Sequence, residues 1–330
     1  MLKYRPFEMH CHTRHSDGTF LVPQLIESVA AYGYAGLALT DHNAVTGLLE
    51  VTEELQRINN CLVLPGIEWT TFYGHLLVIG CDRFVDWRFV TPDTIDEALQ
   101  EIRAAGGIAG VAHPCEVGSP LMCGCNWEFR VKRWDLMDYV EIWSGPDPHA
   151  SAKNGLAMPW YDALLKQGYH LAISGRDWHG PDKPGQIPLL TATYLGIDGD
   201  VTIENAKAAI RAGRTYVTTG PTVDVTLKQE NRIYSLGQTA HPGPASVSVR
   251  IGMEERSSVW AHNEITPQSI RLVHNGKILA EQPYNGKPVD FSVSLVPGWL
   301  RVEVYGTALD RPADSIALTS PIYSADLRDE

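Results

Sequence analysis

No run of apolar residues in this chain approaches the roughly 18 needed to cross a bilayer, which argues against a helical membrane span. A basic excess is also missing: 27 Lys and Arg face 39 Asp and Glu, for a formal charge of −12. A nucleic-acid partner would want a basic face, so that class is disfavoured. Cysteine is sparse and scattered, six in the chain, and only Cys123 and Cys125 lie close, at a spacing that fits no zinc finger. Free thiols in a reducing, cytoplasmic compartment are expected. The opening Met1-Leu2-Lys3-Tyr4-Arg5 has none of the apolar stretch of a signal peptide. Repeats, charge runs and low-complexity tracts are lacking too. What remains is an ordinary globular composition, 44% hydrophobic and 20% charged over 330 residues. That length suits one large domain and one small one.

What the chain does have is histidine at informative places. His10-Cys11-His12 ends the apolar-alternating run Phe7-Glu8-Met9. Residues i and i+2 on a strand share a face, so the pair presents two imidazoles together, half of a metal site. Downstream come Thr40-Asp41-His42, Gly66-Ile67-Glu68, Gly74-His75, Ala112-His113-Pro114 and Gly175-Arg176-Asp177-Trp178-His179. Most of these follow a run that reads as a buried strand.

Up to about Gly220, strand patterns alternate with helix patterns. Strands are expected at Phe7–His10, Gly36–Leu39, Leu62–Leu64, Leu76–Ile79, Ile108–Ala112, Tyr139–Ile142 and Leu171–Ser174. Helices are expected over Val22–Ala31, Thr46–Ile58, Thr94–Ala105 and Ala157–Gln167. Such alternation implies parallel pairing with crossover helices, and about seven units point to an α/β barrel or near-barrel. In that architecture chemistry sits at the carboxyl ends of strands, where His12, His42, Glu68, His113 and Asp177 fall. His75 precedes its strand instead, which suits a hairpin or an inserted strand folded over the site. After Pro221 short Val- and Thr-rich runs alternate with Gly, Pro and Asn turns, and His274-Asn275-Gly276-Lys277 is a hairpin signal. This tail reads as a smaller C-terminal antiparallel β-sandwich, with the boundary between residues 220 and 221.

His10, His12, Asp17, His42, Glu68, His75, His113, Asp177 and His179 form a ligand set too large for one ion. Imidazole mixed with carboxylate suits Zn, Mn or Fe. Each member has a duller reading: Asp17 as the turn residue of Ser16-Asp17-Gly18, Asp41 as a helix cap, a lone histidine as a core residue. Glu68 resists dismissal, because a charge ending an apolar run needs a partner.

His10-x-His12 with Ser16-Asp17-Gly18, Thr40-Asp41-His42-Asn43, Gly66-Ile67-Glu68, Ala112-His113-Pro114 and Ser174-Gly175-Arg176-Asp177-x-His179 together resemble the PHP (polymerase and histidinol phosphatase) superfamily over roughly residues 8–220. Glu68, Gly74-His75 and Thr218-Thr219-Gly220-Pro221 before a β-rich tail look like the branch that includes a carbamate-hydrolysing enzyme. The resemblance implies a distorted (β/α)7 barrel holding two or three divalent ions. It places His10, His12, Glu68 and Asp177 on the first ion, Glu68, His75 and His113 on the second, and Asp17, His42 and His179 on the third. Asp17 stands where some members have histidine, with His15 as the alternative ligand.

The implied activity is that of a metal-dependent phosphoesterase, in which a metal-bridging hydroxide attacks a small-molecule phosphate ester. Three divalent ions, three carboxylates and that hydroxide leave about two positive charges, a match for phosphate. Glu68, Asp177, His179 and Arg176 are the expected catalytic residues, Arg176 through a bidentate phosphate contact or else as a plain salt bridge. Alternatives are a carboxylic or carbamate ester hydrolase with the same metal centre, and a non-catalytic metal-binding module. The partner is then a small anionic substrate, with neither nucleic acid nor membrane, and oligomerisation is left open. Glu116–Asp135 breaks the rhythm and is expected to be a substrate lid, with Arg130, Lys132 and Arg133 meeting an anion, or else a solvated connection. Trp260 and Trp299 are candidates for a binding surface on the β tail or for its core.

Overall fold

The computed structural model describes residues 2–118, 124–150, 152–168, 172–182, 189–309 and 311–325. Strand β1 (Leu2–Cys11) is buried on both faces from Pro6 onward, as a central strand of an α/β sheet must be. Helix α1 (Val22–Ala31) follows, and its buried stripe is Val22, Leu25, Ile26 and Val29. Pro23 sits in its first turn, where no intrahelical hydrogen bond is lost. Strands β2 (Gly36–Leu39) and β3 (Leu62–Thr71) continue the sheet in parallel with β1. The helix expected over Thr46–Ile58 is broken into a 3-10 turn, Thr46–Glu50, and α2 (Glu53–Asn59). The break comes at Thr52, whose hydroxyl caps the Leu55 N–H at 3.1 Å and so starts a new helix.

Instead of crossing over, β3 turns at Phe72-Tyr73 into β4 (Gly74–Ile79), antiparallel to it, with Thr70 opposite His75. Helix α3 (Ile95–Ala104) leads to β5 (Ile108–Val111), antiparallel to β4. Parallel pairing resumes through β6 (Tyr139–Ser144) and β7 (Ala172–Gly175), joined by α4 (Ala152–Leu165). Strand β8 (Ala192–Asp198) lies antiparallel on the other side of β1, and α5 (Ile203–Arg211) and β9 (Thr215–Thr218) complete this part. It is an α/β domain, with fewer helices than seven strand–helix units require. Strands β8 and β9 fall outside the periodicity-based list because their Thr193, Tyr194, Thr215 and Tyr216, polar by type, are buried. The chain after β7 returns to β1: the His12 N–H donates to the Trp178 carbonyl at 2.9 Å, and the Trp178 N–H to the His10 carbonyl at 3.0 Å.

The C-terminal part is β-rich. Its strands are β10 (Thr222–Gln229), β11 (Arg232–Tyr234), β12 (Thr239–Ala240), β13 (Gly243–Gly252), β14 (Thr266–His274) and β15 (Lys277–Pro283). They are followed by β16 (Val289–Leu295), β17 (Gly298–Ala308), β18 (Arg311–Thr319) and β19 (Ile322–Ser324). Strands β11, β10, β13 and β16 make one sheet, whose Val225, Val247 and Phe291 share an apolar cluster with Leu272, Val302 and Val304 of the other. The β14–β15 turn has Asn275 at φ +53° and Gly276 at φ +79°, the double left-handed geometry of a type I′ hairpin. Ala317 of β18 pairs with Thr218 of β9, so one sheet runs through both parts. Trp260 and Trp299 are buried in the core rather than on a binding surface. No helix among the described residues is long and apolar enough to cross a membrane.

Strand β5 packs closely because residue 110 lacks a side chain: a Cβ there would lie 1.9 Å from Tyr139 Cε2. Gly110→Ala is expected to cost about 1–3 kcal/mol by overpacking, read as a lower midpoint in urea or thermal unfolding. An unchanged midpoint would mean that the buried Tyr139 ring moves aside freely.

Candidate metal centre

The nine ligand-type side chains come from strands β1, β3 and β4 and from the segments that follow β1, β2, β5 and β7, and they meet at one end of the row. His10, near the end of β1, and His12, just past it, lie on one side, while Cys11 points away, its thiol donating to the Ala38 carbonyl at 3.4 Å. Glu68, from β3, is at the middle and fully buried. Its Oε2 lies 3.1 Å from His10 Nε2, 3.3 Å from His12 Nε2 and 2.9 Å from His42 Nδ1. Its Oε1 lies 2.9 Å from His75 Nδ1 and 3.1 Å from His113 Nε2. Asp177 Oδ1 is 3.1 Å from His12 Nε2 and 3.4 Å from His10 Nε2. Towards solvent, the half-exposed Asp17 reaches His179 Nε2 at 3.2 Å and His42 Nε2 at 3.6 Å.

These contacts are close without being hydrogen bonds in several cases. His10 Nε2, both ring nitrogens of His12, Glu68 Oε2, His75 Nε2, His113 Nδ1 and Asp177 Oδ1 are buried and lack a hydrogen-bond partner. Stranding so many polar atoms would be costly unless something else satisfied them. Two donors about 2.1 Å from a common ion sit roughly 3 Å apart with lone pairs converging between them, which is the spacing seen. The residues present therefore fit divalent metal ions. Ligand atoms within 4.8 Å of one another fall into His10, His12, Glu68, Asp177; into His42, Glu68, His75; and into His12, Asp17, His42, His179. The first group is the ligand set expected for the first ion. The third is the expected third set with His12 added. His113 is grouped with His10 and Glu141, although it also touches Glu68.

Electrostatics follow the same geometry. Burial pushes the Glu68 carboxyl up, but the imidazoles of His10, His113 and His42 outweigh it and hold it well below the ordinary carboxylate range. Asp177 behaves likewise, with His10 and His12 overriding burial. His179 is raised to about 9, because bonds to Asp17 and Asp177 outweigh its desolvation. Burial lowers His12.

Three acids outside the expected ligand set support it. Glu141 Oε1 lies 3.1 Å from His10 Nδ1 while its Oε2 accepts the His113 N–H at 2.8 Å. Its signal was present: a charge inside the apolar strand Tyr139-Val140-Glu141-Ile142. Glu8, two residues before His10, gave the same signal. Asp41 is not a helix cap; it accepts from the Thr13 N–H at 2.6 Å and the Thr13 and Ser16 hydroxyls at 2.7 and 2.9 Å, and so holds the loop that carries Asp17. Partners 25 and 28 residues away leave no local trace.

Some expected contacts are absent. His15 is taken up by Thr46 and Glu50, each at 2.9 Å. Arg176 is turned away from the cluster, its guanidinium gripping Asp182 at 2.6 Å. In the Glu116–Asp135 segment, residues 119–123 lie outside the described residues. Of its basic residues, Arg130 pairs with Asp93 at 2.8 Å and Arg133 with Asp135 at 2.7 Å.

Because Glu68 touches five imidazoles, Glu68→Ala is expected to lower total bound metal. Asp17→Ala should remove only the share held on the solvent side. Elemental analysis of both purified variants checks this; equal metal content in wild type and Glu68→Ala would refute the central role of that carboxylate.

Residues 8–102 match the family described as PHP domain. A 79-residue segment is 34% identical to 3′,5′-nucleoside bisphosphate phosphatase of Chromobacterium violaceum, over 23% of this chain and 27% of that relative's length. Among solved structures, a two-domain protein from Bacteroides vulgatus, described as containing a predicted PHP-like metal-dependent phosphoesterase, aligns over 97% of this chain and 96% of its own, with TM-score 0.53 at 13% identity. That likeness is one of fold. The family match opens at Glu8, two residues before the first ligand histidine, and closes in α3, so this first part of the α/β domain is similar to the PHP domain.

Proposed function

We propose that this protein is a metal-dependent phosphoesterase that hydrolyses a small-molecule phosphate ester. The observation that carries the reading is the convergence of unpartnered imidazole and carboxylate atoms around the buried Glu68. The family supports it, and the named activity of the Chromobacterium relative makes nucleoside phosphates the first natural substrates to assay. Divalent ions bound there would supply Lewis acidity, water activation and neutralisation of phosphoryl charge.

The chain's own residues have distinct tasks. Glu68, His10, His12 and Asp177 would hold one ion, Glu68, His75 and His113 a second, and Asp17, His42 and His179 a third. Zn, Mn and Fe each suit this nitrogen and oxygen donor set. His10, His12, Glu68, His75 and His113 are all buried, so they form a floor that excludes bulk water. Asp17 and His179 are partly exposed and mark the side on which a phosphate ester enters. With Arg176 turned away, anion attraction falls to the positive centre itself. We read the strand row β1–β7 as a distorted barrel, supported by the Cys11–Trp178 bridge. We assign residues 1–220 to the catalytic unit and 221–330 to an accessory β-sandwich. The thiols of Cys11, Cys61, Cys81 and Cys115 are free, which suits a cytoplasmic setting.

Hydrolysis of p-nitrophenyl phosphate should exceed that of p-nitrophenyl acetate, vanish on chelation and return with Mn, Zn or Fe. Acetate cleavage without phosphate cleavage under every metal would move the assignment to ester hydrolysis. Asp177→Ala should lower phosphate turnover on the order of a hundredfold or more, in a protein whose circular dichroism is unchanged. Wild-type turnover in that variant would remove Asp177 from the site.

A further inference from the structure

We infer that Arg176 is a positioning residue: with Glu8 and Asp182 it fixes the backbone that carries Asp177 and His179, and it does not touch substrate. The inference rests on the reading of Asp177 as a metal ligand.

Asp177 has φ +51°, a left-handed conformation that persists only where the surroundings enforce it. Enforcement comes from both sides of the residue. Before it, the Arg176 N–H donates to Glu8 Oε1 at 2.8 Å, and the same oxygen accepts the His10 N–H at 3.2 Å. After it, Trp178 exchanges backbone hydrogen bonds with His10 and His12. One buried carboxylate and one bridge therefore tie the last ligand-bearing segment to the first.

The Arg176 side chain closes the remaining freedom. Its guanidinium donates to Asp182 Oδ1 at 2.6 Å and to Oδ2 at 3.3 Å, and its carbon lies 4.0 Å from the centre of the Trp178 ring. The Tyr32 hydroxyl donates to the same Asp182 at 2.8 Å, and its ring stacks on Trp178 at 5.6 Å. Residues 176, 178 and 182 are thereby locked around Asp177 and His179. The support extends into the C-terminal part, where Arg256 Nε donates to the Tyr32 carbonyl at 2.8 Å.

Two physical arguments separate this role from the alternatives. A phosphate at Arg176 would have to displace Asp182 from a guanidinium that is only 2% exposed, so substrate contact is excluded by geometry. A buried ion pair adds little net stability over apolar packing. What a planar, bidentate, stacked guanidinium supplies better than a hydrophobic side chain is a fixed orientation.

The test is metal affinity of the stripped full-length chain, measured by competition of Zn²⁺ or Mn²⁺ with a chromophoric chelator. Arg176→Ala, Asp182→Asn, Tyr32→Phe and Asp177→Ala are compared, with circular dichroism as the folding check. Arg176→Ala and Asp182→Asn should weaken binding about 10- to 100-fold, the usual effect of losing a group that orients a ligand, and lower kcat on p-nitrophenyl phosphate while KM stays the same. Tyr32→Phe should do the same to a smaller degree. Asp182→Asn keeps a hydrogen-bonding side chain, so it reports even where Arg176→Ala fails to fold. Wild-type metal affinity in Asp182→Asn overturns the inference, whether KM rises, as for a substrate contact, or nothing changes, as for a purely structural pair. Wild-type affinity in Asp177→Ala would instead overturn the metal assignment, so the two failures are told apart.

Discussion

A carboxylate with no access to water, surrounded by five imidazoles, is the constraint to which the ligand-bearing end of this molecule answers. Burying the Glu68 charge is expensive unless it is compensated at close range. The compensation comes from β1, β4, the end of β5 and the segment after β2, each delivering one or two nitrogens within 3.3 Å. No single strand can do this. The backbone bonds of Trp178 to His10 and His12 bring the segment after β7 against the end of β1, where the nitrogens and carboxylates meet.

Holding such a set of ligands requires rigidity that the ligands themselves cannot supply. His113, at φ +25°, and Asp177, at φ +51°, both sit in backbone conformations that non-glycine residues rarely adopt. Each is served by a buried glutamate that accepts a backbone N–H: Glu141 from His113 itself, and Glu8 from the residue just before Asp177. The two glutamates also contact His10, one at the ring and one at the backbone. The site is thus built as two layers of carboxylates, an inner one with unpartnered oxygens and an outer one consumed in hydrogen bonds.

Much of this was legible before any coordinates. The same-face geometry of His10 and His12 is a property of any strand, and the position of Glu68 at the end of an apolar run demanded partners. The oddity of His75, ahead of its strand rather than behind one, marked the β3–β4 hairpin. Other features left no local trace. Asp41 looked like a cap because its true partners lie in a loop 25 or more residues earlier. Arg176 beside Asp177 looked like a phosphate clamp, and its direction was decided by Asp182, Trp178 and Tyr32. Arg130 and Arg133 suited either a basic lid or a solvated connection, and in the fold each pairs with an acidic neighbour.

The sequence by itself determined the inventory: which residue types stand at the ends of which strands, the alternation that makes an α/β unit followed by a β-rich one, and the order of motifs that resembles the PHP superfamily. These follow from period, residue chemistry and spacing, all of which are local. The tertiary structure alone decided which acids face inward to leave their oxygens unpartnered and which turn outward to brace the backbone. That choice depends on long-range contacts, such as Glu8 to Arg176 and Glu141 to His113, in which the energetic cost of burying charge is settled only after distant strands have met.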